Sequence, residues 1–198
     1  EGLVGSEMCI RDSNNPNLKN YLKNHQMGWD VTDFGKGEFE KKGITLFCIR
    51  NGIQGKNDDK PYAEKLLFMR EGQEIPFHSH KVKLEDIINR GGGELVIEFL
   101  EVDSNQIELN SKIDVLVDGE IVSVAPREPL ILKRGQSVTV ERNIYHKFYS
   151  AEGSGMVMAG EVSQVNDDNK DNYFLESVGR FTEVEEDEEI LHPLWNEI

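Results

Sequence analysis

The chain has 198 residues, 37% of them hydrophobic, with 22 basic and 37 acidic side chains and a formal net charge of −15. A chain of that length buries about two-thirds of its surface on folding, so a single domain needs no disulfide or metal staple to hold its core. The acidity excludes a sequence-independent grip on nucleic acid phosphates or an anionic membrane, and leaves neutral molecules or cations as partners.

Nor is there an uninterrupted apolar stretch of the roughly 18 to 20 residues that a membrane-spanning helix needs, or a charged-then-apolar signal peptide. Cys9 and Cys48 stand far apart with no CxxC pairing, which supplies neither a disulfide framework nor a thiolate knuckle and points to a reducing, cytoplasmic setting. Glu1–Ser13 (EGLVGSEMCIRDS) has no amphipathic period and reads like translated adapter sequence. It is set apart as a non-native or disordered leader, with natural sequence expected from about Asn14 and one domain over 14–198.

Leu18, Tyr21 and Leu22 recur at three- and four-residue spacing and predict a short helix over Asn15–Gln26, ended before Gly28. From Trp29 the pattern turns to short β-type runs: Ile44–Arg50, Glu64–Arg70, Leu95–Leu100, Ile113–Val117, Glu120–Val124, Leu130–Leu132, Ser137–Glu141, His146–Tyr149 and Gly155–Val162. Turn residues punctuate them, and Asp118-Gly119 between two alternating runs is the clearest tight hairpin. Many short strands at about ten-residue intervals without a long helix predict an all-β sandwich, jelly roll or small barrel, with the first helix packed outside. The Gly91-Gly92-Gly93 run beside Arg90 has no helix after it, so it reads as a tight turn before Leu95 and not as a phosphate cradle.

The chemistry concentrates in EGQEIPFHSHKVKLEDIINRGGGELVIEF. On a strand, the His78-x-His80 spacing puts both imidazoles on one face, Glu85 follows five residues later, and His146 opens a later strand. Three imidazoles and one carboxylate suit a borderline divalent cation such as Mn, Fe, Co, Ni or Zn with positions left open. Taken singly, each histidine is more readily a hydrogen-bonded core residue than a ligand. The surrounding spacing, Gly72, His78-x-His80, Glu85 and Gly92, resembles the first motif of the cupin superfamily position for position. Gly135, Glu141-x-Asn143 and His146 resemble the second, with Glu141 for the usual proline, Asn143 for the turn glycine and Ser150 for the closing asparagine. The resemblance implies an all-β cupin, a double-stranded β-helix or jelly-roll barrel with a short N-terminal helix.

Longer stretches, MGWDVTDFGKGEF, LFCIRNG, AEKLLFMREGQ, HSHKVKLEDIINRGGGELVIE and GEVSQVNDDNKDNYFLESVGRFTEVEEDEE, resemble the D-lyxose isomerases, cupin aldose–ketose isomerases of bacteria. That resemblance implies interconversion of D-lyxose with D-xylulose, and of D-mannose with D-fructose, by proton or hydride transfer between C1 and C2. It implies Mn²⁺ on His78, His80, Glu85 and His146, with Co²⁺, Fe²⁺, Ni²⁺ or Zn²⁺ as alternatives, and a homodimer. Lys83, between the second and third ligands, would neutralise a developing oxyanion; its plainer reading is a solvated loop lysine. Glu161, an acid out of character in the apolar run MVMAGEVS, is the candidate base. Asp168 is a candidate for proton handling or sugar hydroxyls, and Arg180 for a sugar oxygen or a structural clamp. The acids of Glu183–Glu189 read as a solvated face. A phosphosugar isomerase, an Fe-dependent cupin dioxygenase and a non-catalytic sugar-binding cupin are the competing readings.

Overall fold

Asn15 opens the first element, its side-chain carbonyl accepting the backbone N–H groups of Asn17 at 3.0 Å and Leu18 at 3.4 Å while Pro16 takes the first helical position. The resulting α1 (Pro16–Asn24) buries none of its residues, so it lies outside the sheets as expected. The computed structural model describes residues 15–179, 190 and 192–198; Arg180, the acidic run and the leader lie outside those residues.

Thirteen strands follow: β1 (Gly28–Thr32), β2 (Ile44–Arg50), β3 (Tyr62–Met69), β4 (Glu74–Ser79), β5 (Glu85–Gly92), β6 (Leu95–Leu100), β7 (Ile113–Val117), β8 (Glu120–Val124), β9 (Leu130–Leu132), β10 (Ser137–Val140), β11 (Tyr145–Ser150), β12 (Val157–Gln164) and β13 (Tyr173–Phe174). They form an eight-stranded sheet in the order β1-β2-β3-β12-β5-β10-β7-β8 and a five-stranded sheet in the order β13-β4-β11-β6-β9. All strand pairs are antiparallel. Leu67, Met69 and Ile87 of the first sheet meet Ile75, Ile97, Phe99 and Phe148 of the second in one buried core. This is the all-β cupin sandwich that the two motifs imply.

The predicted strands are present, five with the expected bounds and four with ends shifted by one or two residues. Asp118 (φ 49°) and Gly119 (φ 92°) close the β7–β8 hairpin in the left-handed conformation that a two-residue turn requires. Four strands lack a counterpart in the predicted set: β1, β4, β5 and β13. The glycine run is corrected as well, because β5 carries Arg90, Gly91 and Gly92 before the chain turns. Gly92 (φ 83°) lies so close to β12 that a Cβ there would sit 2.1 Å from the Met156 carbonyl oxygen.

Candidate metal centre and cavity

His78 stands on β4 directly opposite His146 on β11, an antiparallel pairing that aims both imidazoles to the same side of the smaller sheet. His80 lies just past β4, and Asn143 stabilises the return of the chain: it adopts φ 66° and donates its N–H to the His80 carbonyl at 2.7 Å. Asparagine thus fills the left-handed position where the cupin pattern has glycine. Glu85 opens β5, and all four side chains are buried, with ligand atoms within 4.8 Å of one another.

Each imidazole is fixed from behind by a backbone carbonyl. Nδ1 of His78 contacts the Pro76 oxygen at 2.8 Å, that of His80 the Asp171 oxygen at 2.6 Å, and that of His146 the Ile144 oxygen at 3.1 Å. A carbonyl only accepts, so this assigns the proton to each Nδ1 and leaves each Nε2 as a lone pair. Nε2 of His80 and His146 and Oε1 of Glu85 are buried without a hydrogen bond, although those nitrogens approach Glu85 Oε1 to 3.4 and 2.9 Å; Glu85 Oε2 faces the Lys83 ammonium at 2.8 Å. Lone pairs and a carboxylate gathered in a dry site repel one another unless a cation joins them, so the donor set fits a divalent metal. The electrostatics agree. Burial pushes the His78 pKa well below its ordinary value and keeps that ring neutral. Burial works against the charged form of Glu85, but the Lys83 ammonium 2.8 Å away holds its carboxyl well below the usual range.

A second cluster adjoins the first. Lys83 Nζ bridges Glu85 Oε2 at 2.8 Å and Glu161 Oε1 at 2.7 Å, and Lys65 Nζ bridges Glu161 Oε1 at 3.5 Å and Asp168 Oδ1 at 3.2 Å. Strand pairing sets this chain up, because Glu161 on β12 is the direct neighbour of Lys65 on β3. Ser163 Oγ donates a further bond to Glu161 Oε1 at 3.2 Å. Burial would lower both lysines, yet Glu161, Glu85 and Asp168 raise Lys83, and Asp168 with Glu161 raises Lys65. Both remain ammonium ions. In their usual ionic forms three carboxylates outnumber two ammoniums, which leaves one negative charge for a bound cation to balance.

A cavity of about 250 Å³ opens beside both clusters. His78, His80, Lys65, Lys83, Glu161 and Asp168 line it, while Phe34, Phe148 and Phe174 contribute apolar wall. Polar groups converging in a mostly apolar hollow are what small-ligand sites show.

The structure therefore brings together His78, His80, Glu85, His146, Lys83, Glu161 and Asp168. The solvated-loop reading of Lys83 is overturned, since only 2% of it is exposed. Arg90 packs against Gly160 and is exposed, away from the cavity, and Arg180 lies outside the described residues. Lys65 escaped the sequence reading. Its signal was phase, for it occupies the buried row of β3 with Ala63, Leu67 and Met69.

A cupin sandwich with a buried three-histidine, one-carboxylate centre beside a polar cavity defines a metal-site cupin. The family model for D-lyxose isomerase matches residues 11–198, and the chain belongs to that family of aldose–ketose isomerases. It is 46% identical over 164 residues to the D-lyxose/D-mannose isomerase of Serratia proteamaculans, covering 82% of this chain and 72% of that one. To the protein of the same name from Escherichia coli O157:H7 it is 43% identical over 173 residues, covering 87% and 76%. Among solved structures it is similar to the L-ribose isomerase of Cellulomonas parahominis with L-ribose, at a TM-score of 0.55 and 14% identity over 82% of this chain and 88% of that one. The Geodermatophilus obscurus L-ribose isomerase gives a TM-score of 0.54 at 14% identity, covering 85% and 88%. Those two structures speak for the fold alone.

Proposed function

We propose that the protein interconverts D-lyxose with D-xylulose and D-mannose with D-fructose, using Mn²⁺ held by His78, His80, Glu85 and His146. The observation that carries this reading is the Glu85–Lys83–Glu161–Lys65–Asp168 chain of buried charges linking the metal ligands to the cavity wall. When bound, the cation supplies Lewis-acid polarisation of the sugar oxygens at C1 and C2. Glu161 takes the proton from C2 of the open-chain aldose; that electron pair forms the C1–C2 double bond while the C1 carbonyl π pair moves to O1, and transfer of the C2 hydroxyl proton to O1 with return of the first proton to C1 leaves the carbonyl at C2 and gives the ketose. Lys83 offsets the negative charge that develops on oxygen, and Lys65, itself held by Asp168, orients Glu161, while Lys65 and Asp168 offer polar contacts to sugar hydroxyls.

An unphosphorylated substrate is favoured because the cavity-lining cations among the described residues, Lys65 and Lys83, are both held by carboxylates. A phosphate dianion would find no spare cation there. No helix among the described residues is long and apolar enough to cross a membrane, and Cys48 is a buried free thiol, which supports a cytoplasmic setting. A homodimer is supported by the outer strand β8, where Ile121 is 74% exposed beside Leu116 at 42%. Metal-depleted protein reconstituted with Mn²⁺ and assayed for ketose across the aldopentoses and mannose tests the whole reading. It predicts turnover with D-lyxose and D-mannose that chelation abolishes; turnover unaffected by chelation, or none with either sugar, contradicts it.

A further inference from the structure

Asp168 belongs to no strand. It sits in the loop after β12, where backbone geometry is not fixed by a ladder, yet its carboxylate holds Lys65 at 3.2 Å and faces the cavity. What holds this loop is a pair of amide side chains from distant parts of the chain. Asn51, buried just past β2, accepts the Asn166 N–H at 3.1 Å and donates to the Asn166 carbonyl at 2.8 Å and to the His25 carbonyl at 3.0 Å. Gln26, just past α1, donates from Nε2 to Asp167 Oδ1 and accepts the Asp168 N–H at Oε1, both at 3.1 Å. Gln26 thereby grips the backbone of the very residue that lines the cavity.

The segment carrying Gln26 is itself pinned. Gln26 adopts φ 49°, a left-handed conformation that glutamine seldom takes, so its backbone must be held there by its surroundings. The preceding His25 supplies the hold: Nδ1 contacts the Tyr21 carbonyl at 2.7 Å, Nε2 contacts Asp59 Oδ2 at 2.8 Å, and the ring stacks on Tyr21 with centroids 3.9 Å apart. Asp59 is fixed in turn by the backbone N–H of Lys60 at 2.8 Å. The end of α1 is thus anchored to the loop before β3, and from that anchor an amide reaches across 141 residues of sequence to Asp167.

We propose that Gln26 is a positioning residue for isomerisation, setting the place of Asp168 and, through Asp168 and Lys65, the orientation of Glu161. The inference rests on the site reading above, in which Asp168 and Glu161 act on the sugar. Gln26 touches no metal ligand and does not line the cavity, so its loss acts on geometry alone. A displacement of about 1 Å at a reacting group can cost as much as a hundredfold in rate.

The chemistry of the contact allows an exchange test. Gln26→Ala removes both bonds. Gln26→Glu keeps an acceptor for the Asp168 N–H but sets a second carboxylate against Asp167. In the double variant Gln26→Glu/Asp167→Asn, the new amide donates to the new carboxylate and the bridge is restored with its polarity reversed. With manganese-loaded protein and D-lyxose, Gln26→Ala should lower kcat/KM by about tenfold or more at unchanged metal content. Gln26→Glu should fall at least as far, and the double variant should recover most of that loss. Asp168→Asn is measured alongside. Gln26→Ala within about twofold of the parent while Asp168→Asn is impaired overturns the positioning role and leaves the site reading intact, as does a double variant no better than Gln26→Glu. An unimpaired Asp168→Asn beside an impaired Gln26→Ala removes Asp168 from the site and overturns the inference with it.

Discussion

Lys83 Nζ lies 2.7 Å from Glu161 Oε1, with 2% and 8% of the two side chains exposed. So close a contact in so dry a place means that neither charge is optional: each is the other's replacement for water. The same ammonium holds Glu85, a candidate metal ligand, at 2.8 Å, so Lys83 joins the centre that would polarise the sugar to the group that would move its proton.

Removal of Lys83 should therefore cost stability before chemistry is considered. In metal-free protein, Lys83→Met leaves two buried carboxylates short of their cation, and unfolding in urea should show a loss of about 3–5 kcal/mol. Adding Glu161→Gln should return part of that loss, because one of the stranded charges is then gone. A loss below about 1 kcal/mol would place water or another cation beside Glu161.

Replacing His78, His80 or His146 by Ala should lower bound metal and abolish isomerisation, since each supplies one of four ligand atoms within 4.8 Å. Glu85→Gln should weaken metal too, because it removes the anionic member of the set. Metal analysis after dialysis decides it. A variant with full metal would show that its residue is not a ligand.

Cys48 offers a check on the buried row beside the site. It is the direct strand partner of Lys65, and burial pushes its thiol up to about 12 despite that neighbour. Peptide mapping after iodoacetamide treatment at pH 8 should find Cys48 unmodified in native protein and alkylated after denaturation. Rapid native labelling would mean that this row opens to solvent.

Sequence pattern exposed most of the fold because most strands keep polar residues out and apolar residues in. It failed where function breaks that rule. The buried row of β5 reads Glu85, Ile87 and Asn89, so the inward face carries an acid and an amide and the alternation vanishes. β4 contains Pro76 and is buried on both faces from Ile75 onward, which blurs its period as well. The cluster of His78, His80, Glu85 and His146 was legible because its spacing is local to two short stretches. Lys65 and Gln26 were not: one is a lysine in the phase of apolar neighbours, and the other meets its partners only once the ends of α1 and β12 are brought together. Lys83 was misjudged in isolation because a loop position says nothing of the two carboxylates that fold over it.

The central claim, that Glu161 moves the proton in a metal-dependent isomerisation, is tested most directly by the turnover of Glu161→Gln in deuterated water with Mn²⁺ and D-lyxose. Glutamine keeps the shape and part of the hydrogen bonding of Glu161 but not its basicity. Metal content and sugar affinity should stay close to the parent while kcat falls by roughly 10² to 10⁴, and parent enzyme should place deuterium at C2 of recovered aldose where the variant places almost none. A variant that turns over within a few-fold of the parent, with the same deuterium incorporation, would contradict the account.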